Sequence, residues 1–324
     1  GNTPDEETGI LYSSPLMVES TTVIRAVAVM DGRHPSRVTT RSYIFPEDVI
    51  HQSNTPEGYP DQWGPYTAID GTSIADYEMD PELISDPGFA ADVFEGLKSI
   101  PTISLVSDIG YFFSHSTDPD TGGIYIYTGP PLSRTEDGLG KGWERPGSVE
   151  YFNTDGSVSL QENCGIRIQG GHSRRPEKSP KHSFRLVFRD EYGATRLRYP
   201  LFGEDAAPSF NTVILRAGFG NSWIHHSHEE RSRSQYQRDI WAKDTQRAME
   251  HPSSRSEYAH LYINGIYWGV YAPSERIDSD FMADYMEGKE EEFDVIKDYQ
   301  DVIDGEIDAW NRLMEMANGG LSTN

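Results

Sequence analysis

Apolar and polar residues alternate over short stretches along most of the chain, and this two-residue period predicts β-strands. Residues 22–30 and 37–45 are two such stretches separated by an Asp-Gly turn, so residues 1–46 are predicted to be all-β. From residues 102–106 onward, short strand patterns alternate with helical ones. The pattern therefore predicts an α+β fold for most of the chain.

A helical period appears twice in the second half of the chain. The first helix carries Tyr236, Ile240 and Ala248 on one stripe, and the second repeats apolar residues from Ile307 to Ala317. Residues 47–100 are polar and rich in Pro, Gly and Asp, which is typical of a connector, with one helix near residues 89–97. The predicted boundaries are therefore 1–46, 47–100 and 101–324.

Residues 165–188 are predicted to form a hairpin with one apolar and one basic face. The apolar side holds Ile166, Ile168, Phe184, Leu186 and Phe188, and the other side holds Arg167, Gln169, Lys181, Ser183 and Arg185. Gly170 and Gly171 allow a sharp turn or a close approach of the backbone to a ligand.

This basic face is a candidate phosphate cradle, because lysine supplies a point charge and arginine a fork that fits phosphate oxygens. The alternative interpretation is a solvated strand face whose cations pair with surface carboxylates. The hairpin pattern by itself favours that alternative.

A second hairpin is predicted at residues 258–271, where Asn264-Gly265 lies between two alternating stretches. An Asn-Gly pair suits the type I′ turn, which needs positive φ at both positions. The second strand leads to Glu275, and a helix is expected to begin after Asp278, whose side chain can cap it.

Composition limits the function classes. The chain has 52 Asp and Glu against 28 Lys and Arg, a formal net charge of −24. Such a field repels nucleic acid, so nucleic-acid binding is not expected, and any phosphate site must be a local basic pocket. The single cysteine, Cys164, excludes an intrachain disulfide and is expected to be buried and inert. No apolar run is long enough to span a membrane.

Other clusters point to no defined chemistry. His225, His226 and His228 could offer imidazole ligands, but a metal site needs further fixed ligands, so a polar loop is the favoured interpretation and no metal site is predicted. Residues 118–123 lack the frame of a calcium loop and are predicted to form a turn. No Gly-x-Ser-x-Gly occurs, which leaves Ser-His-Asp hydrolysis without support.

The order of the segments resembles that of a known family. Arg-x-x-Gly-Gly, then Lys-x-Ser-Phe-Arg, an Arg-Asp pair on a helix, Leu-Tyr-Ile-Asn-Gly-x-Tyr-x-Gly-x-Tyr, Glu-Arg and a strand ending in Lys follow one another across residues 100–320. This series resembles the CotH (spore coat protein H) kinase family. Residues 22–46 resemble the end of a chitobiase C-terminal-like, Ig-type sandwich, which implies a truncated module in front of the kinase-like domain.

The resemblance implies a β-rich, kinase-like small lobe with flanking helices that binds ATP and Mg²⁺ in the intact protein. It matches Lys181 to the phosphate-contacting lysine, with Arg167, Arg174 and Arg185 as further nucleotide-binding residues. It places Arg238 or Asp239 on the helix that orients this lysine, and Glu275 at the hinge beside the adenine. Lys297 matches a strand-end lysine to which no role is assigned.

The family's catalytic carboxylates resemble an Asp…Asn loop and a Trp-Asp-x-Asp segment, and no Trp-Asp pair occurs in this chain. The catalytic residues are therefore expected downstream of Asn324. The expected function is nucleotide binding by part of an exported, extracellular or cell-surface protein kinase that acts on protein Ser/Thr and is inactive as these 324 residues. The identity of the protein substrate stays open.

Two other functions are left open by the sequence. One is a non-catalytic surface module for adhesion or structure, which the acidic, aromatic-rich composition allows. The other is a carbohydrate-active accessory domain, although no pair of carboxylates has a spacing suited to glycoside cleavage.

Overall fold

The computed structural model describes residues 2–5, 7–63, 74–114, 116, 118, 120–124, 143–170, 173, 178–297 and 300–320. Arg174 and Gly171, two residues of the predicted phosphate cradle, lie outside these ranges.

The described residues form a mixed α+β structure, as the sequence predicts. The strands are β1 (Thr22–Ala26), β2 (Thr39–Tyr43), β3 (Thr102–Val106), β4 (Arg145–Phe152), β5 (Val158–Gln169), β6 (Ser183–Val187), β7 (Thr212–Arg216), β8 (Ala259–Ile263), β9 (Ile266–Glu275), β10 (Val295–Lys297) and β11 (Asp301–Asp304). The helices are α1 (Pro46–Val49), α2 (Pro81–Ser85), α3 (Pro87–Gly96), α4 (Ile109–Phe113), α5 (His228–Ser232), α6 (Arg238–Ala248), α7 (Ser279–Tyr285) and α8 (Asp308–Asn318), and short 3₁₀ turns span Phe219–Asn221 and Glu290–Glu292.

Seven strands form a closed barrel in the order β3-β4-β5-β6-β7-β9-β8. Neighbouring strands are antiparallel except where β8 pairs in parallel with β3 and closes the sheet. The core inside includes Leu105, Ile166, Phe184 and Leu215, all of them fully buried. Cys164 is fully buried as expected, and burial raises the pKa of its thiol.

The predicted hairpin at residues 165–188 is present as the β5–β6 pair, with Arg167 directly opposite Arg185. Ile166, Phe184 and Leu186 are buried, so the predicted apolar face is confirmed. Lys181 departs from the expectation, because β6 begins only at Ser183. The side chain of Lys181 therefore leaves the strand's polar face and extends to the backbone of β9.

The Asn264-Gly265 turn joins β8 and β9 as predicted, with φ of 51° at Asn264 and 86° at Gly265. A register shift between Leu261 and Tyr262 changes the side-chain alternation there. For this reason Tyr262 is buried as well as Leu261.

The N-terminal segment contributes a two-stranded antiparallel sheet, β1–β2, and both strands are shorter than predicted. It is attached to the barrel through the buried Glu150 on β4, whose carboxylate accepts a hydrogen bond from the backbone amide of Ser42 at 2.8 Å. The Ser42 and Ser104 hydroxyls are also 2.8 Å apart.

Two parts of the predicted connector pack on the barrel core. Trp63 and Tyr77 are buried, and each lies less than 6 Å from the ring of Trp268 on β9, at centroid distances of 5.8 and 5.7 Å. The indole of Trp63 donates to the Tyr77 hydroxyl at 3.1 Å. These residues therefore complete the core at one end of the barrel.

The predicted helices are present, but their apolar stripes differ from the expectation in exposure. Ile240 and Ala248 lie on α6, whereas Tyr236 precedes it. Helix α8 ends before Gly319 as predicted, and its Trp310 and Leu313 are 36% and 55% exposed. Asp278 caps α7 by accepting from the backbone amide of Phe281. Within the described ranges, no helix has both the length and the apolarity needed to cross a bilayer.

Replacing Gly265 with alanine should lower the free energy of unfolding by about 1–2 kcal/mol, because a side chain at φ 86° is strained. Chemical denaturation measures the difference. Gly96→Ala is the matched control, since an added Cβ there meets no atom within 4 Å and φ is not positive. Equal stability of both variants would contradict the assigned turn.

Candidate functional site

A cavity of about 700 Å³ opens between the barrel wall, α6 and the β10–β11 hairpin. Its cations are Arg185 on β6, Arg216 on β7, Lys243 on α6, Arg276 and Lys297. We call this space the cationic cavity. The described carboxylates in its lining belong to Asp239 and Glu275, so the local charge is opposite to that of the chain as a whole.

Asp239 is held away from any ligand by two cations of the same cavity. Its carboxylate meets the Arg216 guanidinium through Nε at 3.0 Å and Nη2 at 3.1 Å, and Lys243 Nζ lies 3.1 Å away. The sequence analysis expects this helix to orient Lys181. In the structure, Asp239 contacts Arg216 and Lys243.

Glu275 is buried, and its carboxylate is occupied by groups outside the cavity. It accepts a 2.7 Å hydrogen bond from the backbone amide of Arg255 and a short one from the Tyr285 hydroxyl. Burial raises the pKa of this carboxyl group. Glu275 thus borders the cavity, while its carboxylate accepts hydrogen bonds from groups outside the lining. Its expected place beside the adenine stays a prediction.

Lys243 is the cavity lysine that sequence reasoning missed. Its ammonium donates to Ser256 Oγ at 2.8 Å and to Ser274 Oγ at 3.4 Å, in addition to the ion pair with Asp239. Burial lowers the pKa of Lys243, and the neighbouring Arg216 lowers it further. The four-residue spacing between Asp239 and Lys243 on one helix is the sequence signal that could have identified it.

Lys181 lies behind the cavity wall formed by Val270, Tyr271 and Tyr236. Its ammonium donates to the Val270 carbonyl and lies 4.4 Å from the centre of the Tyr271 ring and 5.9 Å from that of Tyr236. Among the described residues, no carboxylate forms an ion pair with it. Burial lowers the pKa of Lys181 to about 7.

Arg185 and Arg167 face each other across the β5–β6 pair but have different partners. Arg185 lines the cavity and donates to Gln169 Oε1 at 2.8 Å, and burial together with Arg276 and Arg167 lowers its pKa to about 10. Arg167 instead pairs with the buried Glu144, which also binds Arg189 at 2.9 Å. Glu144 offsets the repulsion that two opposed arginines would create.

The other predicted residues occupy separate positions. Lys297 lines the cavity at the end of β10, and Arg238 is exposed at the start of α6, where it donates to the Arg233 carbonyl at 2.8 Å. The structure therefore brings Arg185, Asp239, Glu275 and Lys297 to one cavity, and Lys181 contacts the lining residues Val270 and Tyr271 from behind. Arg167 and Arg238 are outside the described lining.

Two histidines of the 225–228 segment, His225 and His226, pack against each other. The imidazole of His225 is 4.6 Å from the ring of Phe219 and 4.3 Å from that of His226, and its Nδ1 accepts from the backbone amide of Ser227. Across the part of the chain that the structure describes, no three His, Cys, Asp or Glu side chains are grouped so that they could hold a metal ion. Asp118 and residues 120–123, the described part of the predicted turn, are linked by a hydrogen bond from the amide of Gly122 to the Asp118 carbonyl at 2.7 Å.

The buried ammonium of Lys181 should make stability depend on pH. The unfolded chain holds this proton up to the ordinary pKa of 10.5, whereas the folded chain holds it only below about 7. Unfolding therefore takes up a proton between these values, and stability should rise with pH at up to about 1.4 kcal/mol per unit. Buried tyrosines with raised pKa values, such as Tyr77, act in the opposite direction at higher pH.

Denaturation of the wild type and Lys181→Met at pH 7, 8 and 9 tests this linkage. The wild type should gain about 2–3 kcal/mol relative to the variant over this range. Lys98→Met, at an exposed lysine, should follow the wild type. Parallel curves for the wild type and Lys181→Met would show that the ammonium is not buried.

Comparison with known protein families agrees with the order of the segments. Residues 166–312 match the family model described as CotH kinase protein, and residues 1–43 match the model described as Fn3 associated. None of the curated proteins matches the chain. The first range contains every lining residue of the cationic cavity named above, and the second covers most of the predicted N-terminal module. Residues 166–312 are therefore similar to the CotH kinase family, and residues 1–43, which precede them, to the Fn3-associated family.

Proposed function

We propose that the cationic cavity binds the phosphates of ATP, and that residues 166–312 serve ATP-dependent phosphoryl transfer to protein Ser or Thr. The observation that carries the proposal is a concentration of cations in a protein of net charge −24, around a cavity whose carboxylates are already engaged. Its volume of about 700 Å³ lies within the range of small-molecule sites.

Arg185, Arg276 and Lys297 are the cavity cations that we assign to direct contact with phosphate oxygens. Lys243 uses its three donors on Asp239, Ser256 and Ser274, so we assign it the role of holding Asp239 and, through it, Arg216. Arginine forks and lysine ammonium groups both suit phosphate oxygens.

In this proposal, Lys181 interacts with the phosphates electrostatically and does not contact them directly. Among the described residues, the Val270 carbonyl is the oxygen acceptor of its ammonium, which otherwise faces aromatic rings, so its charge is poorly compensated there. A phosphate on the other side of Tyr271 would stabilise that charge across a medium of low dielectric constant. Burial therefore lowers the pKa of Lys181, whereas a bound phosphate would raise it.

Part of the cavity lining is apolar and suits a nucleobase. Ile277, Val295, Ile296 and Ile303 belong to this lining, together with Glu275 and Arg276. We propose that the adenine lies here, with its edge toward the main chain at residues 275–277. The proposed position agrees with the hinge role that the family resemblance gives to Glu275.

Bound ATP·Mg²⁺ would supply the γ-phosphoryl group and a metal that neutralises phosphate charge. The described side chains form no metal site of their own, so the cation would enter with the phosphates. Transfer also needs an aspartate base and metal-binding carboxylates, and no Trp-Asp pair occurs in the chain. The proposal for these 324 residues is therefore nucleotide binding without turnover. We also propose an extracellular or cell-surface location, on the resemblance of the N-terminal segment to modules of exported proteins.

Isothermal titration calorimetry with ATP, ADP and AMP in the presence of Mg²⁺ tests the proposal. Affinity should fall from ATP to AMP as phosphates are removed. Lys181→Met should weaken ATP binding by about tenfold or more, since one charge lost within several ångströms of a phosphate costs roughly 1.4 kcal/mol or more.

Lys98→Met is the matched control. It removes an exposed lysine that forms an ion pair with Glu95, and it should bind as the wild type does. If the wild type binds none of the three nucleotides, the proposed function is wrong and a non-catalytic surface module becomes the better account.

A further inference from the structure

The segment that follows β7 lines the cationic cavity with every one of its residues. It runs Ala217, Gly218, Phe219, Gly220 and Asn221, and we call it the 217–221 loop. Gly218 has a φ of 73°, a conformation that favours glycine, and it turns the chain at the end of the strand. The loop thus presents main chain to the cavity directly after Arg216.

Gly220 is a glycine that the fold itself does not require. Its φ is not in the positive range, it is exposed, and an added Cβ would meet no atom within 4 Å. At Gly147 and Gly165, by contrast, a Cβ would come within 2.5 Å of a neighbouring side chain. Glycine in a helical turn is less favourable than alanine. Packing among the described residues therefore does not account for a glycine at this position.

The loop also carries hydrogen-bond donors. Gly218 precedes the 3₁₀ turn Phe219–Asn221, and its backbone amide donates to no described carbonyl outside the helices and strands. Gly220 is the second residue of that turn, where a backbone amide has no acceptor within the turn. The side chain of Asn221 is half-buried. These donors lie beside Arg216 and Arg185 in the same cavity wall.

We infer that the 217–221 loop is a backbone cradle for the phosphate chain of the ligand, with Gly220 allowing close approach and Asn221 supplying a side-chain donor. The inference rests on the proposed function and deepens it. It assigns part of the phosphate binding to main-chain amides outside the predicted glycine pair at residues 170–171. The ligand class is a polyphosphate, free or as part of a nucleotide.

Gly220→Ala is the direct test, measured by calorimetry with ATP·Mg²⁺ and with inorganic tripolyphosphate. Affinity for both should fall by about tenfold, because a displaced hydrogen bond to a charged group costs about that much. The melting temperature should stay equal or rise slightly, since alanine restricts the unfolded chain more than glycine. Gly110→Ala is the matched control, as Gly110 is also exposed, helical and open at Cβ but lies outside the cavity lining.

Two further measurements test the 217–221 loop separately from ATP binding. Asn221→Ala should also weaken both ligands, and in ¹⁵N-labelled wild type the amide resonances of Gly218 and Gly220 should shift on addition of tripolyphosphate. Unchanged affinity in Gly220→Ala together with unshifted glycine amides would overturn the cradle even if ATP binds. Tripolyphosphate binding that is sensitive to Gly220→Ala, without ATP binding, would support the cradle and reject the nucleotide. Binding of neither probe to the wild type would overturn both.

Discussion

A chain with a net charge of −24 can keep a cationic cavity only if the carboxylates nearest to it are engaged elsewhere. Asp239 is held by Arg216 and Lys243, and Glu275 is held by Tyr285 and the Arg255 amide. Each carboxylate has protein donors where it lies, so neither needs a ligand cation, and the remaining cations of the lining keep the local field positive.

Behind the cavity wall, by contrast, the positive charge of Lys181 is poorly compensated. Lys181 is half-buried, and its ammonium donates to the Val270 carbonyl beside the Tyr271 ring. Desolvation destabilises its charged form, and among the described residues no carboxylate pairs with it. Such a group lowers the stability of the free protein below its pKa, and an anion in the cavity would reverse that cost. In the proposed function this residue links β9 to phosphate binding, because the ammonium that donates to the Val270 carbonyl would also be stabilised by phosphate charge across the Tyr271 ring.

Local patterns were sufficient for the elements that depend on neighbouring residues. Alternation predicted the β5–β6 hairpin and its buried Phe184, and the Asn264-Gly265 pair predicted the β8–β9 turn. The closure of the barrel could not be predicted, because the parallel pairing of β3 with β8 joins segments that lie far apart in the chain. The burial of Lys181 was missed for a related reason. Its strand begins two residues later than the alternation suggests, and its long side chain reaches a strand that is not adjacent in sequence. Alternation places Arg167 and Arg185 on the same basic face, but it could not predict that Arg167 pairs with Glu144.

The pKa of Lys181, measured by NMR of its side-chain ¹³Cε resonance, tests the account most directly. The account predicts a pKa of about 7 in the free protein, and a rise when ATP·Mg²⁺ saturates the cavity because phosphate charge stabilises the ammonium. A pKa near the ordinary value of 10.5 in the free protein, or one that does not change with saturating ATP, would contradict it.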